Sequence, residues 1–193
     1  MSIAGVPTQC AVALKEWATV LEAMGRGEQL VLIRKGGLIE PGSGFDLISH
    51  TFVFYPTFEH QAVNYLRPAY GRYFGEALPH RAPEGQVLVE LFGMAVSSRQ
   101  SHDPGIIERL SPFHIYNQEF VSQRLKWQPD QPLVIVVVRA FRLDPIRLTV
   151  APHYAGCKSW VELSSPVSLA GARPVLEEAA FEARRRELEA LLA

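Results

Sequence analysis

Apolar residues recur along this chain with periods that change from segment to segment. From Cys10 to Met24, the positions Leu14, Trp17, Val20, Leu21 and Met24 follow helical spacing, with Gly25 and Gly27 as a stop. The pattern predicts an amphipathic helix over Cys10–Met24. Two strand-like runs come next, Leu30 to Glu40 and Phe45 to Tyr55, separated by Pro41-Gly-Ser-Gly44. If those four residues form a turn, Glu40 faces Phe45 and the register carries back to Leu30 facing Tyr55. Val31 then lies opposite Phe54 and Ile33 opposite Phe52, apolar pairs of the kind that stabilise a β-hairpin. The same face continues to Lys35 opposite His50, while Arg34 points the other way. Gly36-Gly37 inside one arm marks a bulge or a close backbone approach.

Beyond the hairpin, Thr57 is an N-cap candidate for a short helix with Glu59, His60 and Gln61 in its first turn. Residues 64–83 lack a period. Gln86–Val96 has strand character with Gly93 as a bulge, and Ser97–Gly105 reads as a polar loop. Ser111-Pro112 opens a helix over Pro112–Leu125. Leu133–Leu143 is apolar on both alternating faces, the pattern of a central strand covered on both sides. A turn at Asp144-Pro145, a short strand to Val150, a strand over Ser159–Leu163 and a terminal helix over Pro174–Leu192 complete the chain. Together these elements predict a single α+β domain spanning residues 1–193. Its sheet would be mixed or mainly antiparallel, with a strongly curled form as one alternative, and with helices packed against it.

Composition narrows the functional classes. With 193 residues and 48% hydrophobic content, the chain can bury a sizeable core. Its formal net charge is −1, so no global field draws it to nucleic acid or to an anionic membrane, and any such binding is local. The longest aliphatic run, Leu133–Val138, is too short to span a bilayer, which predicts no membrane partner. Two cysteines, Cys10 and Cys157, are too few for a disulfide scaffold and fit a reduced, cytoplasmic setting.

A string of motifs runs through most of the chain: Ala13-Leu-Lys-Glu-Trp17, Gly27-Glu-Gln29, Arg34-Lys-Gly-Gly37, Glu40, Phe54-Tyr-Pro-Thr-Phe-Glu-His-Gln61 and Gly156-Cys-Lys-Ser-Trp-Val161. In order and spacing, from about Ala11 to Leu163, they resemble the bacterial family called domain of unknown function 1802. The resemblance carries no reaction and no catalytic residues. It implies a nucleic-acid context, through a loose link to endonuclease-like partners.

Two functional classes follow from the residues. In the first, the chain is a binding module within a larger, nuclease-like assembly, with nucleic acid and a protein as its partners. Arg34, Lys35, Gly36 and Gly37 would hold phosphate through cations and free amides. Arg67 and Arg72, in the aromatic and basic stretch Tyr65–Arg81, would meet unstacked bases. In the second, the chain is a small hydrolase or transferase for a phosphorylated or carboxylated compound. His60 or Glu59 would be its base, with Lys35 and Arg139 holding the anion. Against these stand plainer readings: a bulged ribbon with solvated cations, a packing role for His60, and a structural ion pair between Glu90 and Arg139. His153 and Cys157 have an H-x₃-C spacing but no second ligand pair, so no metal and no cofactor are expected.

Overall fold

The computed structural model describes residues 5–35, 45–156 and 158–192. The expected turn Pro41–Gly44, Gly36, Gly37, Glu40 and Cys157 lie outside them. Along the chain run β1 (Gln9–Trp17), α1 (Ala18–Gly25), β2 (Val31–Arg34), β3 (Thr51–Thr57), α2 (Arg72–Glu76), β4 (Gln86–Ser101), α3 (Ile106–Arg109), α4 (Gln118–Lys126), β5 (Leu133–Thr149), β6 (Trp160–Ser168), β7 (Arg173–Pro174) and α5 (Glu178–Leu192).

The sheet is built on the ribbon of β4 and β5, two long antiparallel strands paired from Gln86↔Thr149 to Ser101↔Leu133. Its strand order is β2-β5-β4-β3-β1-β6, with β7 added to β5. Every pairing is antiparallel except β1 with β3. The α+β class with a mainly antiparallel sheet therefore holds. The strand path is open, with β2 and β6 at its two ends, so the strongly curled alternative is not the form adopted.

The expected hairpin does not form. β2 pairs with β5, Val31 opposite Val137 and Ile33 opposite Ile135, while β3 lies between β1 and β4. The turn arithmetic assumed that neighbours in sequence are neighbours in the sheet. Val31, Leu32 and Ile33 are all buried, so this short strand needs apolar cover on both faces. The β-branched run Ile135–Val137 lies directly beside it in the sheet, whereas β3 already has β1 and β4 on its two edges.

Other boundaries moved for identifiable reasons. The expected helix Cys10–Met24 is strand to Trp17 and helix only from Ala18, because β1 is sandwiched between β3 and β6 and buries Ala13 and Leu14 on opposite faces. Thr57 ends β3 instead of capping a helix. His60 has a positive φ of 62°, which breaks helical continuation there. The helix expected from Pro112 begins at Gln118, where the Asn117 side chain accepts hydrogen bonds from the amides of Glu119 and Phe120. β5 runs straight through Asp144-Pro145, and β4 extends through the expected polar loop to Ser101. The terminal helix forms, from Glu178, with Phe181, Leu188 and Leu192 buried.

Gly93 is not a bulge. The register shifts fall instead between Val89 and Leu91 and between Ala95 and Ser97. At Gly93 a Cβ would stand 2.7 Å from Val138 Cγ1 and 3.0 Å from the rings of Phe52 and Phe54, so the site has no room for a methyl group. Gly93→Ala is expected to destabilise the domain by roughly 1–3 kcal/mol through overpacking. A lower midpoint at unchanged slope in urea unfolding checks this.

His114 is buried beneath this layer, 1% exposed. One ring nitrogen, Nε2, is 2.7 Å from the Ile107 carbonyl, and Nδ1 accepts the Tyr116 amide, so the ring is held neutral. Burial, reinforced by the Arg67 cation, pushes its pKa from 6.5 down to about 4, against the opposing effect of the Ile107 hydrogen bond. Because the folded-state pKa lies below the unfolded one, the unfolded chain binds more protons between those values. Stability is complete above about pH 6.5 and falls as pH drops toward 4, by roughly 3 kcal/mol at full protonation. Replacing His114 with Gln should flatten the slope of stability against pH in that window, as measured by denaturant titrations from pH 4 to 7.

Candidate functional site

The parallel strands β1 and β3 run side by side and end together, Trp17 opposite Thr57. β6 begins beside them, Trp160 opposite Leu14. Their ends, the Phe58–His60 bend, α4 and the segment before β6 enclose a groove of about 1060 Å³.

At its base lies Glu16, 7% exposed. Oε1 accepts the Trp17 amide at 2.7 Å and Oε2 accepts Arg34 Nη2 at 2.8 Å. Arg34 also donates to the Lys15 carbonyl at 2.6 Å, so the last residue of β2 is tied to the end of β1. The Nε of Arg34 is buried with no hydrogen-bond partner. Aromatic rings form one wall. Trp17 stacks with Tyr65 at 6.0 Å between centroids, Tyr116 stacks with Phe120 at 3.8 Å, and Trp127 stands 41% exposed at the end of α4. Burial beside the Glu16 carboxylate pushes the Tyr116 phenol well above its ordinary value, so it stays neutral. Lys15, Arg81, Arg124 and Lys158 bring positive charge around the opening, with His60 and His80 beside them.

The side chains that shape this groove are fixed from outside it. Gln61 Oε1 accepts both the amide and the hydroxyl of Thr19, anchoring the first turn of α1 directly after Trp17. The Thr57 hydroxyl donates to the Glu16 carbonyl. Trp160 donates to the Asp46 carbonyl and stacks on Phe45, which holds the start of β6. Gln29, fully buried, donates to the Val31 carbonyl and accepts the Ile115 amide, joining β2 to the segment that leads into α4.

The residues anticipated for function divide sharply. Arg34, Glu59 and His60 line the groove, the last two as exposed rim residues. Lys35 does not: its ammonium is buried and donates to the Leu125 carbonyl at 3.0 Å, neutralising the carbonyl end of α4, and burial lowers its pKa. Arg139 pairs with Glu178 at 2.5 Å and lies over Phe141 and Phe181, binding β5 to α5 away from the groove. Glu90 meets His80 at 2.7 Å, so the anticipated Glu90–Arg139 pair does not exist. Arg67 is a structural clip, donating to the carbonyls of Ser111 and His114. Arg72 lies over the Tyr73 ring on the surface. His50 is exposed at the start of β3, near the Ala95 carbonyl, outside the groove lining. His153 approaches the Glu162 carbonyl at 3.0 Å.

Several groove residues carried a signal that spacing alone could have exposed. Tyr116, Phe120, Arg124 and Trp127 stand four, four and three residues apart, one stripe leading along α4, so Arg124 interrupts an aromatic face rather than extending a polar one. Glu16, next to Lys15, interrupts the apolar run from Ala13 to Val20 in the same way.

The architecture is thus an α+β domain whose parallel strand pair opens into an aromatic and cationic groove. The chain belongs to the family described as "Domain of unknown function (DUF1802)", whose model matches residues 13–187. No curated protein matches it. Among solved structures it is similar to the crystal structure of a ZmASCH mutant protein from Zymomonas mobilis, at 12% identity over 95% of this chain and 99% of that one, with a TM-score of 0.45. Among the described residues, no helix is long and apolar enough to cross a membrane.

Proposed function

We propose that the chain is a nucleic-acid-binding module that holds a single strand in the groove at the ends of β1, β3 and β6. The observation that carries this reading is the alternation of flat rings and cations in one concavity: Trp17, Tyr65 and Trp127 with Lys15, Arg34 and Lys158. Rings offer every base a stacking face, and cations follow the phosphates, so the combination suits unpaired nucleic acid without demanding one sequence. The charge is local, in keeping with a chain whose net charge is only −1. The family resemblance adds a setting, in which this chain supplies binding within a larger nuclease-like assembly.

The hydrolase reading has less support. It needed Lys35 and Arg139 to hold an anion beside His60, and those two cations have other partners outside the groove.

Fluorescence titration with short single-stranded oligonucleotides tests the binding reading. Binding should quench tryptophan emission and weaken as salt rises, with log affinity linear in log salt. Trp127→Ala is expected to weaken it by roughly 1–3 kcal/mol, the range for losing one base-stacking ring. Affinity that is independent of salt, or unaltered by Trp127→Ala, would sink the proposal.

A further inference from the structure

Arg124 stands in the last turn of α4, one turn beyond Phe120, with its guanidinium over the Phe120 ring at 4.9 Å and facing the groove. Among the described residues it makes no hydrogen bond and no ion pair. The charged groups around it make this more telling. Arg34 and Lys35 are cations close enough to act on it or be acted on by it, and the nearby Glu16 carboxylate is already engaged by Arg34 and by the Trp17 amide. Burial and the Arg34 charge lower the Arg124 pKa, yet a guanidinium keeps its proton.

A half-buried cation with five N–H groups, set beside other cations and lacking a protein acceptor, is favourably neutralised by an anion that enters the groove. Arg34 and Arg67 have acceptors: Arg34 the Glu16 carboxylate, Arg67 two carbonyls. The planar fork of a guanidinium matches two oxygens of a tetrahedral oxyanion.

We infer that Arg124 forms an oxyanion subsite in the groove, beside Phe120, that takes one phosphate group of the ligand. The inference deepens the nucleic-acid reading by giving the bound strand a fixed point. A phosphate seated there leaves its neighbouring base beside the Trp17 and Tyr65 rings, and the remaining cations contact the strand less specifically.

The test compares wild type with Arg124→Gln, Arg124→Lys and, as a charge-matched control on the exposed face of α5, Arg186→Gln. Two probes are used: inorganic phosphate, read by the shift in melting temperature, and a thymidine pentanucleotide alongside its uncharged methylphosphonate analogue, read by fluorescence. Phosphate should raise the melting temperature of wild type but not of Arg124→Gln. Arg124→Gln should lose roughly tenfold or more in affinity for the pentanucleotide, with a salt slope smaller by about one. It should bind the methylphosphonate as wild type does. Arg124→Lys keeps the charge without the fork and should fall between, and Arg186→Gln should match wild type. In phosphate-free buffer Arg124→Gln should melt no lower than wild type, because it removes an unneutralised charge.

Equal pentanucleotide affinity and salt slope in wild type and Arg124→Gln overturns the subsite while leaving strand binding intact. Stabilisation by phosphate that depends on Arg124, without any oligonucleotide binding, upholds the subsite and removes the nucleic-acid reading. Neither effect in wild type removes both.

Discussion

The Arg34–Glu16 ion pair is the constraint on which the site depends. The two residues end strands that are separated by three others in the sheet, yet their side chains meet at 2.8 Å with little solvent access. A buried pair of this kind adds little net stability, since desolvation opposes the attraction, but losing one partner leaves an uncompensated charge. Its geometric consequence is larger than its energetic one. Arg34 also takes the Lys15 carbonyl and Glu16 also takes the Trp17 amide, so the end of β2, the end of β1 and the start of α1 share one hydrogen-bonded junction. The groove floor is that junction.

Around it, the polar residues of the family-like motifs act mostly as braces. Gln29 spans β2 and the Ile115 backbone, Gln61 caps the start of α1, Trp160 fastens the loop at Asp46, and Lys35 sits on the last carbonyls of α4. These side chains satisfy backbone groups that would otherwise be buried without partners. The residues left facing the groove are then rings and cations whose orientation is set by the braces behind them, an arrangement that keeps ordering costs low when a ligand binds.

Much of the fold was legible in the sequence where local pattern and final environment agree. The apolar run Leu133–Val138 and the amphipathic stretch ending at Leu192 form the expected strand and helix. The errors share a cause: long-range pairing overrides local signals. Leu14, Trp17, Val20 and Leu21 follow a helical period, but the first two belong to a strand whose partners, Val53 to Thr57 and Trp160 to Val167, lie far along the chain. The Pro-Gly-Ser-Gly sequence pointed to a hairpin, yet β2 found a better-matched partner a hundred residues away in β5. At the site, Arg34 and the Glu59-His60 pair were recognised by residue type. Arg124 and Glu16 were not: each breaks an aromatic or apolar run in the sequence, but the rings and strands that give the break its meaning meet only in the fold.

The parallel pairing of β1 with β3 has a kinetic side. No tight turn can join parallel neighbours, and β1 must also wait for β6, from the last quarter of the chain, to close its other edge. Contacts of such high sequence separation form late and slowly, since the chain entropy lost in bringing them together precedes any gain. The groove is therefore a late product of folding. During synthesis the nascent chain carries Glu16, Trp17 and Arg34 from the outset, but it cannot present the concavity they line until β6 has emerged.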